Sequence, residues 1–217
     1  MSDVKKPEEF ILGLDVSTKT IGVALFKDLG TSGKLSMLTH ISPTVKPKPA
    51  NQTETIFKKA QIFREEFLLK YRNTGIKKVI IEEPLLRSNN IHTVATLLRF
   101  NGMISRDVYE ILGVVPEFIS SYDSRKYAFP ELMAVRTTKK DGTVLSEKEI
   151  ARKEPTLFGA YPHDIDKKLV VWKLVSDLEP QLQWIYDKNN KLKSESFDCS
   201  DAYTVVRAYM RRGGNWL

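Results

Sequence analysis

Apolar and polar residues alternate in short blocks over the first part of the chain. Residues 10–26, FILGLDVSTKTIGVALF, hold two apolar blocks around a polar turn, the second block covering residues 21–27. Residues 34–42 form a third block after the turn-rich segment DLGTSG. Short apolar blocks bounded by turn residues are typical of β-strands. We therefore predict three consecutive strands that form an antiparallel meander.

Longer periodic segments follow this meander. Residues 53–73 and 92–112 carry apolar side chains at the i, i+3, i+4 spacing of an amphipathic helix, and a glycine follows each segment. Between them, residues 77–82, KKVIIE, form an apolar block typical of a strand inside a sheet that is covered on both faces. Residues 114–121 predict a fifth strand.

The last third of the chain is more polar and ends in two further predicted helices. The first begins near Asp164 and is ended by Pro180, and the second covers residues 198–212. The order β-β-β-α-β-α-β, then α-α, predicts one α/β domain over residues 1–217. We expect polar insertions in this domain near residues 43–52, 136–160 and 187–196.

Composition excludes several classes of protein. The single cysteine, Cys199, rules out an internal disulfide and a cysteine-based zinc site. No apolar run approaches the roughly 20 residues that span a bilayer. The first residues, MSDVKKPEEF, have charged side chains where a signal peptide has an apolar core. We therefore expect a cytoplasmic protein without a membrane partner, located in the host cell cytoplasm if a phage encodes it.

The net charge of +7 suggests a polyanionic partner. Clustered Lys and Arg gain affinity for phosphates through counterion release. A lysine-rich surface that serves only solubility is the alternative. The segment SSYDSRKYAF places Arg125 and Lys126 between aromatic residues, a pattern that suits phosphate neutralisation and base stacking, although aromatic residues near a strand end also occur in cores.

Acidic residues stand in three of the apolar elements. Asp15 lies in the first strand, and a buried carboxylate there requires compensation, for which a divalent metal is the usual means. Its alternative role is that of a surface residue capping the following turn. Glu82 and Glu83 end the 77–82 strand before a proline.

The last acidic pair lies in the final predicted helix. Asp198 and Asp201 are three residues apart and share one helical face, unless Asp198 is simply the N-cap of this helix. Carboxylates from two strands and one helix suit Mg²⁺, with Mn²⁺ as a substitute. Two such ions can activate water and stabilise the leaving oxygen of a phosphodiester. The three histidines are scattered and indicate no other chemistry.

Taken together, these motifs resemble the RuvC-like Holliday junction resolvases of the ribonuclease H-like superfamily. ILGLDVSTKTIGVAL is similar to the first two strands of that family and assigns its first catalytic aspartate to Asp15. VIIEEP assigns the catalytic glutamate to Glu82, with Glu83 as the alternative. FDCSDAYTVVRAY is similar to the final motif D-x-x-D-A and assigns the last two carboxylates to Asp198 and Asp201.

The resemblance implies a ribonuclease H-like fold with a five-stranded mixed sheet, three antiparallel strands followed by two parallel ones, flanked by helices. It implies a Mg²⁺-dependent endonuclease that resolves four-way DNA junctions by paired symmetric nicks, acting as a homodimer through the helix 92–112. Branched DNA would contact Arg125 and Lys126, and Lys167 and Lys168 are further candidates. A phage or organellar branch of the family fits the long insertions.

Other functions are open at this level. A nuclease of the same fold could act on flaps, single strands or RNA. An actin-like phosphotransferase shares the first motif but needs a second domain, for which 217 residues leave no room. Replacement of one of the acidic residues would favour a nucleic-acid-binding module without catalysis, and none of these residues is obviously replaced.

Overall fold

Five strands form one mixed sheet in the computed structural model, which describes residues 8–30, 33–47, 49–84 and 90–213. The strands are β1 (Glu9–Val16), β2 (Ile21–Asp28), β3 (Gly33–Ile41), β4 (Ile76–Glu82) and β5 (Glu117–Ile119). Their order across the sheet is β3-β2-β1-β4-β5, with β1, β2 and β3 antiparallel. Strand β4 runs parallel to both β1 and β5, so the predicted mixed sheet is confirmed.

Helices cover both faces of this sheet. They are α1 (Gln52–Phe63), a π-helical turn (Arg64–Leu68), α2 (Leu69–Tyr71), α3 (Ile91–Leu112), α4 (Ser121–Ala128), α5 (Glu147–Ile150), α6 (Lys167–Leu178) and α7 (Ser194–Arg212). A second, two-stranded sheet joins β6 (Met133–Ala134) to β7 (Thr156–Leu157). Within the described ranges no helix is long and apolar enough to cross a membrane.

The alternation of side chains along β1 and β4 separates two hydrophobic cores. Leu12, Leu14 and Ile81 pack in one cluster with side chains of α1 and α3. Ile11 and Ile80 pack in the other cluster, with side chains of α4, α6 and α7. Because successive strand residues point to opposite faces, positions in step with Ile11 and Ile80 face α7.

Two predicted boundaries were wrong. Helix α7 begins at Ser194, four residues before Asp198, and its N-cap is Lys193, so the alternative role of Asp198 as N-cap is excluded. The fifth strand covers only Glu117–Ile119, and the chain continues directly into helix α4, which was not predicted. Ser120 caps α4 by accepting a hydrogen bond from the Asp123 amide, at 3.0 Å.

Residues 133–157, which include most of the predicted 136–160 insertion, form a hairpin. Its strands β6 and β7 pair, and α5 between them begins with a capping box formed by Ser146 and Glu149. The Arg136 guanidinium donates hydrogen bonds to the carbonyls of Phe158 and Tyr161. Residues 43–47 and 49–51 contain no helix or strand. Residues 1–7, which carried part of the signal-peptide argument, lie outside the described ranges.

Candidate metal-binding active site

Asp15 and Glu82 lie side by side at the carboxyl ends of adjacent parallel strands. Leu14 of β1 pairs with Ile81 of β4, and Asp15 and Glu82 are the next residues of their strands. Both are in step with the residues that face α7, so their side chains point to the same side of the sheet. Glu83 faces the other way and is exposed, which favours Glu82 over Glu83 as the site residue.

Two glycines bring helix α7 unusually close to these strands. A Cβ atom on Gly22 would lie 2.1 Å from the carbonyl oxygen of Asp198, and one on Gly13 would lie 2.4 Å from that of Ala202. Gly22 also pairs with Asp15 across the antiparallel strands. The absence of side chains at both positions therefore allows the helix to present its acidic face directly over Asp15.

Each strand carboxylate is in an environment that opposes its charge. Burial, followed by the repulsion of Glu82, Asp201 and Asp198, raises the pKa of Asp15 well above its ordinary value. Burial and then Asp201 raise the pKa of Glu82 to about 8. Oε2 of Glu82 is buried and has no hydrogen-bond partner. Carboxylates whose pKa values are raised in this way by burial and by neighbouring acids are characteristic of functional sites.

The helix carboxylates differ in how deeply they are buried. Asp201 is 3% exposed, and its Oδ1 lies 3.4 Å from Nη2 of Arg125 on α4. Burial raises the pKa of Asp198 to about 6, although Lys168 opposes the shift. Four acidic side chains from β1, β4 and α7 thus share one region, in which the compensating cations are fewer than the carboxylates.

Lys168 of α6 provides the second of these cations. Its Nζ lies 3.6 Å from Oδ2 of Asp201 and 3.9 Å from Oδ1 of Asp198. Lys168 is half-exposed, whereas the side chain of Arg125 is only 15% exposed. Both residues were predicted to contact DNA, and the structure places both against the carboxylates.

The other two predicted DNA-contacting lysines lie over aromatic rings. Lys126 has its ammonium group 5.6 Å from the centroid of the Tyr127 ring, and Lys167 lies 5.9 Å from that of Phe158. Lys126 follows Arg125 and Lys167 precedes Lys168, and Arg125 and Lys168 are the cations that reach the acidic cluster. Sequence reasoning did not identify the contacts of Arg125 and Lys168, because they depend on helix packing, although the S-x-x-D cap at Ser120 could have indicated α4.

The donor chemistry of this cluster fits a hard divalent cation. Oxygen ligands are those that Mg²⁺ and Mn²⁺ prefer, and Glu82 offers a buried oxygen without a partner. In the part of the chain that the structure describes, no three His, Cys, Asp or Glu side chains are already grouped closely enough to hold an ion.

Comparisons with known proteins give similarity in structure alone. No protein-family model and no curated protein matches the chain. Thermus thermophilus RuvC is similar over 94% of this chain and 96% of its own, with a TM-score of 0.51 and 14% identity. The same protein in complex with a Holliday junction substrate gives 0.52 and 11% identity, with the same coverage of both chains.

A eukaryotic structure gives the same result. The yeast mitochondrial Holliday junction resolvase Ydc2 is similar over 98% of this chain and 84% of its own, with a TM-score of 0.50 and 11% identity. These similarities extend over nearly the whole chain. The chain therefore has the ribonuclease H-like fold of the RuvC-like Holliday junction resolvases.

Proposed function

We propose that this protein is a Mg²⁺-dependent endonuclease that resolves four-way DNA junctions. The observation that carries the proposal is that Asp15 and Glu82 lie on the face of the sheet that packs against Asp198 and Asp201 of helix α7. These carboxylates arise from three separate elements, and their shared burial is costly without a cation. The structural neighbours supply the substrate class, since both proteins are Holliday junction resolvases by name or by bound substrate.

The four carboxylates would hold the metal, with Mn²⁺ as a substitute for Mg²⁺. Bound there, the metal would supply an activated water and stabilisation of the leaving oxygen of a phosphodiester. Helix α7 sets the positions of Asp198 and Asp201 relative to the strands. Arg125, almost buried against Asp201, holds that carboxylate in place.

Lys168 has a different role because its ammonium group is half-exposed. It offsets part of the carboxylate charge and presents a cation toward solvent at the opening of the site. An anionic DNA backbone approaching four carboxylates needs such a cation nearby. Lys126 and Lys167 extend the positive surface on either side.

A homodimer would match the two-fold symmetry of a four-way junction. Helix α3 buries one face against the sheet and exposes large apolar side chains elsewhere along its length, namely Ile91, Leu98 and Tyr109. An exposed apolar surface on a long helix suits an isologous contact. Two sites related by this contact would each cut one of two symmetric strands.

The experiment that tests this proposal compares DNA substrates. The protein is incubated with Mg²⁺ or with EDTA on a synthetic four-way junction, and on duplex, flap and single-stranded DNA of matched sequence. Paired symmetric nicks on the junction in Mg²⁺ are expected. Cutting of flaps or single strands in preference to the junction would overturn the substrate assignment, and equal cutting in EDTA would overturn the metal requirement.

A further inference from the structure

The turn that follows Asp15 is held from the opposite side of the sheet. Within the turn, Ser17 Oγ accepts a hydrogen bond from the amide of Thr20, at 3.0 Å, and donates one to the Thr20 carbonyl, at 2.8 Å. From helix α3, Nδ2 of Asn101 donates to the carbonyl of Val16, at 3.3 Å. This turn therefore has a fixed position relative to Asp15.

Asn101 makes this attachment specific. It is 3% exposed, and its Nδ2 also donates to the carbonyl of Leu97, at 3.1 Å. Because both partners are acceptors, the amide can face them only with its nitrogen. Its Oδ1 is left buried without a partner, a cost that a purely structural position in a helix would not require.

A lysine from helix α1 reaches the same turn. Nζ of Lys59 donates to the carbonyl of Thr18, at 2.5 Å. Partial burial, and then the neighbouring charge of Lys19, the next residue of the turn, lower the pKa of Lys59. Lys59 therefore lies against the turn that bears Lys19, at the end of the strand that carries Asp15.

No acid offsets these two charges. Among the described residues, neither Lys19 nor Lys59 forms an ion pair, whereas the adjacent Lys58 pairs with Glu54 at 2.7 Å. An ammonium group has three donors, and Lys59 uses one of them on the Thr18 carbonyl. Two ammonium groups that lie close together without an acid favour the binding of an anion from outside the chain.

We infer that Lys19 and Lys59 form a subsite for a backbone phosphate of the strand that the carboxylates cut. The subsite lies at the turn that follows Asp15, at the same edge of the sheet as the strand carboxylates, so a strand that reaches the carboxylates can continue over Lys19 and Lys59. This inference rests on the proposed function and adds a strand-positioning contact to it. Asn101 supports the subsite by fixing the turn that bears Lys19.

The test measures the salt dependence of junction binding in the Asp15→Asn background, where binding is followed without cleavage. The logarithm of the dissociation constant is plotted against that of salt concentration, between roughly 50 and 200 mM. Losing one phosphate contact lowers the slope by about 1. We expect this reduction for the double variant Lys19→Gln/Lys59→Gln, and the parent slope for Lys58→Gln, the matched control on the same helix.

Lys59→Arg separates charge from turn geometry. If the subsite binds phosphate, the variant Lys19→Gln/Lys59→Arg, which has a positive charge at residue 59, recovers part of the slope that Lys19→Gln/Lys59→Gln loses. A double variant with the same slope as Lys58→Gln would overturn the inference. This holds even if the same two substitutions lower the cleavage rate of the protein that keeps Asp15. Failure of the proposed function gives a different result, namely a parent protein that binds four-way and duplex DNA equally. In that case the salt slopes of the parent, the double variant and Lys58→Gln can still be compared on duplex DNA.

Discussion

Gly22 lies directly against the backbone of Asp198. A Cβ atom at Gly22 would come within 2.1 Å of the Asp198 carbonyl oxygen and 2.5 Å of its carbonyl carbon. The partner of Gly22 in the strand register is Asp15. One close contact between strand and helix thus sets the separation between the carboxylates of β1 and those of α7.

Gly22→Ala should therefore lower the rate of cleavage more than it weakens DNA binding. The added methyl group meets helix backbone, which cannot rotate away, so α7 must shift. A displacement of about 1 Å can cost about 100-fold in rate. We expect a loss of this size in junction cleavage, with the junction dissociation constant within a few-fold of that of the wild type.

Gly213→Ala is the control for this substitution. Gly213 follows the same helix, has φ −70°, and a Cβ there would lie 3.7 Å from its nearest neighbour, an ordinary contact. Its cleavage rate should match that of the wild type. Wild-type cleavage by Gly22→Ala would show that the helix position does not control the site.

Stability without metal should fall as pH rises. The pKa of Glu82 is raised from an ordinary 4.5 to about 8, and that of Asp198 from 3.8 to about 6. Between the ordinary and raised values the folded state binds more protons than the unfolded state, so the free energy of unfolding decreases with pH. The decrease should extend from about pH 3.8, the ordinary value of Asp198, to about pH 8, the raised value of Glu82.

Thermal unfolding in EDTA and in Mg²⁺ measures this effect without reference to activity. Mg²⁺ should raise the melting temperature most at the alkaline end, where the carboxylates are ionised. Glu82→Gln should flatten the pH dependence in EDTA, and Glu83→Gln, at the exposed neighbour, should leave it unchanged. A melting temperature that does not respond to Mg²⁺ at any pH would contradict a metal site here.

Lys168→Gln should destabilise the protein in EDTA more than in Mg²⁺. The Lys168 ammonium group lies 3.6 Å from Asp201 and 3.9 Å from Asp198, so its removal leaves their repulsion less compensated. A bound cation would replace part of that compensation. Lys173→Gln, an exposed position on the same helix, is the control. Equal destabilisation of Lys168→Gln in both conditions would indicate that the lysine and the metal do not act on the same carboxylates.

Leu98→Glu should separate dimerisation from the chemistry of each site. Leu98 is 43% exposed on α3, and a buried charge at an apolar contact strongly disfavours association. We expect a monomer in sedimentation equilibrium, with paired nicking lost and the Mg²⁺-dependent stabilisation kept. Val144→Glu, at a 72% exposed position in the hairpin insertion, should leave the protein dimeric. A dimeric Leu98→Glu protein would exclude this part of α3 from the contact.

The sequence allowed the main sheet to be predicted because its strands are short apolar blocks with clear turns. Helix α4 was missed because SYDSRKYA has little apolar periodicity, and its cap at Ser120 is its main local signal. The start of α7 was placed too late for a tertiary reason. Ser196 is buried and exchanges hydrogen bonds with the backbone of Ile185, a contact that no local pattern reveals.

For the candidate site, the sequence indicated which acids to consider, and it assigned Arg125 and Lys168 to DNA without indicating their contacts with those acids. Strand ends and a three-residue spacing identified Asp15, Glu82 and the helix pair as neighbours. The contact between Lys168 and Asp201 joins α6 to α7, and its existence depends on how those helices pack. The same applies to the choice between Glu82 and Glu83, which requires the register of β4 against β1.

The most direct test of the whole account compares Glu82→Gln with Glu83→Gln in a Mg²⁺ titration of junction cleavage. Both substitutions remove one negative charge, from adjacent residues of which only Glu82 faces the carboxylate cluster. We predict that Glu82→Gln binds the junction and fails to cut it at any Mg²⁺ concentration, while Glu83→Gln cuts it like the wild type. Cleavage at the wild-type rate by Glu82→Gln would contradict the assignment of the site.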